Sequence, residues 1–286
     1  MFPVADVLAV LDLEPVATDR YRAGSVHPGG PVAHGGQLLA QTLVAAQQGN
    51  DGKKVKTLHT VFARAARPDV PLDIAVTRVH SGRSLATSLV SISQGDRLCV
   101  QSQVMLSAEE PDFISYAQTH PAPPAGPPAP PAPTSPDGAA EAPGTWQVQV
   151  VGDVDLNDPD VVGPPELEVW TRWPGAPDDA VIGQALLAFA TDSFLIATAM
   201  RPHKGVGQAL AHRSISTGVL SHTITFHQPS PAREWLLMSL RSPFAGQGRS
   251  YGQGDAFGDG QGLVASFVQD AMIRAMAGGG GGGGHL

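Results

Sequence analysis

The same ordered set of short segments occurs twice in this chain of 286 residues. The first set is Leu58-His59-Thr60-Val61-Phe62, then Gly82-Arg83-Ser84, then Gly95-Asp96-Arg97-Leu98, then an alternating run ending near Met105. The second is Ser221-His222-Thr223-Ile224-Thr225-Phe226, then Gly248-Arg249-Ser250, then Asp259-Gly260-Gln261-Gly262-Leu263, then an alternating run through Gln269. The His-Thr pair precedes Gly-Arg-Ser by 23 residues in one set and 26 in the other, and the turn glycine follows after 13 and 12. One shared tripeptide would carry little weight, but four matches in one order point to a duplicated unit. The chain is thereby confined to architectures made of two similar halves.

Ahead of its strands each unit carries a helix almost without charge. Residues Gly35 to Gln48 contain no charged side chain, and 181–200 contain only Asp192. A helix on a protein surface needs a polar face, so both are predicted to be covered on most sides. Pro177-Asp178-Asp179 supplies a start signal for the second helix and Pro202 a stop. Apolar alternation predicts strands at 57–64, 71–80, 83–94 and 98–106, and again at 217–227, 234–242, 248–257 and 262–273. A long apolar helix followed by an antiparallel meander, twice, describes an α+β tandem (double) hotdog. Its two long central helices are each expected to be wrapped by an antiparallel sheet.

Residues 118–144 are rich in Pro and Ala, cannot pack a core and favour extended conformations. They are read as a linker between an N-terminal unit (1–117) and a C-terminal unit (145–277) that carries the active site. The Gly-rich stretch 278–286 is read as a disordered tail. The N-terminus, with Asp6 and Asp12 among apolar residues, reads as a short amphipathic helix and not as a secretory signal. The protein is therefore expected to be cytoplasmic. The run 181–200 is long enough to span a bilayer, but Gln184 and a central Asp192 argue for a buried core helix instead. A formal charge of −8 argues against nucleic acid and anionic membranes as general partners. The single cysteine, Cys99, excludes an internal disulfide, and its apolar setting suggests a buried strand position.

Asp192 is the chemical focus. A carboxylate in apolar surroundings must be satisfied by partners or be doing chemistry, because burying an unpaired charge is costly. Composition alone leaves these two readings equally open. The segments at 34–41 (HGGQLLAQ), 58–69, 82–84, 189–203 (FATDSFLIATAMRPH), 220–229 (LSHTITFHQP), 234–243, 248–254 and 263–274 (LVASFVQDAMIR) resemble those of the type II acyl-CoA thioesterases, which are double-hotdog hydrolases. The resemblance implies hydrolysis of fatty acyl-CoA to free acid and CoA, in fatty acid metabolism, without metal or organic cofactor. It also implies a homo-oligomer.

By that resemblance Asp192 and Gln269 hold the attacking water. The family's third residue, a Thr or Ser hydroxyl, falls on Val219, which has none. Thr217 and Ser221 lie two residues to either side, on the face Val219 uses if alternation is regular, and Thr217 is taken as the substitute. Gly35 and Gly36, after His34, are candidates for binding the thioester carbonyl, although they equally suit close helix packing. His59 and His222 occupy matching places in the two repeats, which favours a structural role for both. Arg83 and Arg249 also repeat, and Arg249 is a candidate for the CoA phosphates beside the simpler reading of a fold-specific ion pair. No Gly-x-Ser-x-Gly elbow is present to suggest a serine nucleophile. Two other functions share the fold: an acyl-CoA-binding protein without catalysis, and an enoyl-CoA hydratase or dehydratase. The latter calls for an acid and a histidine around one carbon–carbon bond, and no such motif stands out.

Overall fold

The computed structural model describes residues 2–27, 31–120, 144–152, 154–258 and 262–276. The tail expected at 278–286 and nearly all of the linker expected at 118–144 lie outside these residues. The first linker residues are paired: Thr119 bridges Gly262, and the Leu263 N–H donates to the Gln118 carbonyl.

The first unit comprises α1 (Val4–Leu11), β1 (Glu14–Ala17), β2 (Arg20–Ala23), α2 (Gly35–Gln47), β3 (Lys53–Phe62), β4 (Leu72–Ser81), β5 (Leu85–Gln94) and β6 (Arg97–Ala108). The second comprises β7 (Gln147–Val150), β8 (Glu166–Arg172), α3 (Ala180–Thr191), α4 (Leu195–Met200), β9 (Ile215–Phe226), β10 (Leu236–Gly246), β11 (Arg249–Phe257) and β12 (Leu263–Ala275). All eight predicted strands are present. The two units do not keep separate sheets. Their strands form one antiparallel sheet in the order β1-β2-β4-β5-β6-β3-β9-β12-β11-β10-β8-β7, joined where β3 pairs with β9. Sequence composition explains the individual strands. In β5, Ala86, Ser88, Val90 and Ile92 are buried on one face while Leu85 and Leu89 are exposed on the other, the two-residue period of a half-covered strand.

Both uncharged helices are buried as expected, α2 from Gly36 to Ala46 and α3 from Gly183 to Thr191. They lie antiparallel. The start of α2 touches the end of α3, while residues from the end of α2 and the start of α3 line one cleft. Backbone comes close to backbone where α2 meets α3, and again where α3 meets the loop between β9 and β10. A Cβ on Gly36 would lie 2.2 Å from the Phe189 carbonyl oxygen, and one on Gly183 would lie 2.2 Å from that of Ser230. Gly183→Ala is therefore expected to lower stability by about 3 kcal/mol, the upper end of the usual cost of overpacking, because the clash is with backbone. A thermal melt no lower than wild type would contradict this contact.

The stretch 180–200 is not one continuous helix. It breaks after Thr191, with Asp192 as the C-cap of α3, and resumes at Leu195. This stretch, apolar enough to cross a membrane, is packed against the sheet and against α2. The repeat also needs a correction. Across the junction Thr60 pairs with His222 and His59 with Thr223. His59 is exposed and donates to or accepts from Thr223 Oγ1 at 2.7 Å, whereas His222 is completely buried. The two histidines face opposite sides of the sheet, so they are not equivalent. Aligning the phenylalanines Phe62 and Phe226 restores matching faces and puts Leu58 opposite His222 in the duplication. A one-residue slip in a strand exchanges its faces.

Candidate active site

Asp192 sits at the break between α3 and α4, where the start of α2 meets it. Its Oδ2 accepts the Gly36 N–H at 2.9 Å. That N–H belongs to the first turn of α2, whose free N–H groups and dipole favour a negative charge. The glycines of the His34-Gly35-Gly36 segment make this approach possible, since a Cβ on Gly35 would lie 2.8 Å from Asp192 Oδ2. Gly36 was a candidate for the thioester carbonyl, but its N–H is engaged by the carboxylate. The other carboxylate oxygen, Oδ1, is buried with no partner.

Gln269, on β12 and 1% exposed, faces the same interior. Its Oε1 lies 3.1 Å from His222 Nδ1, and its Nε2 is buried without a partner. His222 Nε2 is in turn 3.0 Å from Thr191 Oγ1, the residue next to Asp192. Gln269 is thus joined through His222 to Thr191, the chain neighbour of Asp192. Sequence reasoning missed Thr191, and it discounted His222 because of the mistaken match to His59. Regular alternation counted from Phe226 would have placed His222 inward.

His34 is a third residue the sequence did not single out for chemistry. Its Nε2 lies 3.9 Å from Asp192 Oδ2, too far for a hydrogen bond, and its ring stacks on Phe189 at 4.7 Å. Phe189 itself stands edge-on to Phe2, Trp146 and Trp173. This aromatic wall gives one side of the site an apolar lining.

Burial holds both histidines below the ordinary imidazole value of 6.5, against the opposing pull of the Asp192 charge. At neutral pH they are uncharged. Below pH 6.5 the unfolded chain takes up a proton on His222 that the folded chain refuses, so the contribution of His222 to stability, complete above that pH, is lost as pH falls. The slope is at most about 1.4 kcal/mol per pH unit for one group. The fall in melting temperature between pH 7 and 5 should therefore be smaller in His222→Asn than in wild type; an equal fall would show that His222 does not resist protonation.

Two predicted residues are not brought to this group. Pairing between β9 and β12 runs Gln269–His222 and Asp270–Ser221, then shifts so that Ala271 faces Val219, leaving Leu220 as the extra residue of a bulge. The bulge turns Ser221 to the outer face, where its hydroxyl donates to Asp270 Oδ2. Thr217 stays on the inner face with Val219 but pairs with Ile273. That is four residues beyond Gln269, about 13 Å along the strand, beyond the reach of a Thr side chain. Arg249 lies on the other side of the sheet from this group. Ser250, Gly252 and Gly254 face inward on β11, so exposed Arg249 faces outward, where it donates to the carbonyl of its neighbour Gly248.

Among the described residues the first unit has no counterpart of the His222–Gln269 pair. Leu58 stands where His222 would be, and its strand partner Val104 stands where Gln269 would be; both are fully buried. Among the described residues no group of three His, Cys, Asp or Glu side chains is arranged to hold a metal ion.

Comparison with known proteins matches the two parts of the chain to two domains of one family. Residues 22–107 match the acyl-CoA thioesterase N-terminal domain and residues 121–273 the acyl-CoA thioesterase C-terminal domain. The chain is 26% identical to acyl-coenzyme A thioesterase 8 of Mus musculus, over 94% of this chain and 88% of that protein. It is 26% identical to acyl-CoA thioesterase 2 of Haemophilus influenzae, over 94% and 97%. The solved structure of an acyl-CoA thioesterase II from Mycobacterium marinum superposes with a TM-score of 0.75 at 26% identity, covering 95% of this chain and 99% of that one. These matches span both units and the hotdog fold they build. The chain belongs to the acyl-CoA thioesterase family.

Proposed function

We propose that this protein hydrolyses acyl-CoA by attack of a water held between Asp192 and Gln269. The observation that carries the reading is a pair of buried, unpartnered polar atoms: an acceptor, Asp192 Oδ1, and an amide nitrogen, Gln269 Nε2. A water there donates one O–H to the carboxylate and accepts from the amide, which leaves a lone pair for the thioester carbon. Asp192 takes the water proton as the C–O bond forms, the tetrahedral intermediate collapses, and the C–S bond breaks to release the thiolate of CoA. The Gly35 N–H, at the first position of α2, is the donor assigned to the carbonyl oxygen. No enzyme nucleophile is needed.

In this reading α2 and the α3–α4 pair act as the central helices of the two wrapped units. The first unit lends its helix start to the acid. The substrate is a fatty acyl-CoA, and the protein works in the cytoplasm as a homo-oligomer. The water has two holders, since Thr217 does not reach it. Gln269→Ala is expected to lower kcat for thiol release by about a hundredfold. Wild-type protein that binds acyl-CoA without releasing thiol would instead be a binding protein.

One observation favours a second reading. His34 and Asp192, from different units, form the acid–histidine pair that the sequence did not display. Assaying an enoyl-CoA beside the saturated acyl-CoA separates hydration from hydrolysis, and hydration faster than thiol release would reverse the assignment.

A further inference from the structure

We infer that His222 is a positioning residue: it decides which end of the Gln269 amide faces the attacking water. The inference rests on the water-holding role proposed for Gln269. An amide side chain turns about a broad, two-fold terminal torsion, so the strand alone does not choose between its oxygen and its nitrogen. The choice matters because the oxygen could only accept from the water, whereas the nitrogen donates to it.

His222 is completely buried and bonded at both ring nitrogens, to Thr191 Oγ1 at 3.0 Å and to Gln269 Oε1 at 3.1 Å. A neutral imidazole has one N–H, so these two contacts are coupled. If the Thr191 hydroxyl donates to Nε2, the proton must be on Nδ1, which then donates to Gln269 Oε1. The amide nitrogen is left pointing into the site. If the Thr191 hydroxyl instead donates to the Ala188 carbonyl, 2.9 Å away, then Nε2 carries the proton and the amide is reversed. The nearby Asp192 carboxylate selects between them, since a negative charge favours the N–H end of an amide dipole over its oxygen. The chain of donors therefore runs from Thr191 through His222 and Gln269 to the water, and ends on Asp192. The first unit, with Leu58 and Val104 in the corresponding places, has no such chain.

The asparagine side-chain nitrogen occupies nearly the place of the imidazole Nδ1, so His222→Asn can still donate to Gln269, while His222→Leu cannot. His222→Leu is expected to lower kcat about a hundredfold with KM changed by less than about threefold, and His222→Asn to stay within about fivefold of wild type. Thr191→Val should lower kcat about tenfold and Thr191→Ser should restore it. The double variant His222→Leu/Gln269→Ala should be no worse than Gln269→Ala, because the two act as one unit. In ¹⁵N NMR the His222 ring should be neutral with its proton on Nδ1. A proton on Nε2, losses that multiply in the double variant, or full kcat in His222→Leu would each overturn the inference. The NMR result and the Thr191 pair decide it even where His222→Leu fails to fold. Full kcat in Gln269→Ala is a separate outcome: it would remove the water-holding role itself.

Discussion

Asp192→Asn is expected to lower kcat for acyl-CoA by about a thousandfold, within the range for loss of a general base. The substitution is nearly isosteric. Its side-chain oxygen can still accept the Gly36 N–H that holds Asp192 Oδ2 at 2.9 Å, so α2 remains docked and the fold survives. What disappears is the ability to take a proton from water. Stability should change little or rise, because the native carboxylate is only 7% exposed and leaves Oδ1 without a partner. Removing its charge relieves that burial. Thiol release and thermal unfolding on the same protein preparation check both halves of the prediction. Turnover within a few-fold of wild type in a folded Asn variant would mean that Asp192 is a structural acid.

The second large effect is at Gly36. In Gly36→Ala the new Cβ would meet the Phe189 carbonyl oxygen at 2.2 Å and its carbon at 2.9 Å. Both are backbone atoms of the buried end of α3, and no rotamer change relieves the clash. The helices must separate, at a cost of about 3 kcal/mol or more, beyond ordinary side-chain overpacking. Separation also moves the Gly36 N–H away from Asp192. A displacement of about 1 Å in a reacting group can cost a hundredfold in rate. The variant should therefore melt well below wild type and lose activity even where it is folded. Activity and melting temperature both near wild type would show that the start of α2 is free to move, and the placement of Asp192 would have to be reconsidered. This variant differs from Asp192→Asn in a useful way: one removes the base and keeps the fold, the other keeps the base and moves it.

Much of the molecule was legible in its residues. The eight strands of the two meanders could be read because alternation is a local pattern. The two buried helices could be read because a helix without charge has no side fit for water. Leu85 and Leu89, exposed on the outer face of β5, show that apolar residues alone do not mark the core, while the alternation around them does. The short strands β1, β2, β7 and β8 were not anticipated. They have four to seven residues and lie toward the two ends of the sheet, where their pairing partners rather than their own composition define them.

The site was legible in its types and illegible in its geometry. Asp192 announced itself as the lone charge of an apolar stretch, and Gln269 came with the resemblance. Thr217 was chosen on an assumption of regular alternation, and the bulge at Leu220 breaks that assumption for Ser221 while the register carries Thr217 out of range. His222 was set aside because its sequence match to His59 suggested a shared structural role, yet the pairing of β3 with β9 places them on opposite faces.

By itself the sequence determined where the eight long strands and the two buried helical stretches lie, and that an acid must be accommodated in the second of those stretches. Those properties follow from periodicity and composition over ten or so neighbouring residues. Only the tertiary structure decided that the helix opens at Asp192, that the start of α2 is the partner of its carboxylate, and that Thr191 and His222 connect it to Gln269. These depend on register and on contacts between distant segments, where a shift of one residue turns a side chain from the core to the solvent.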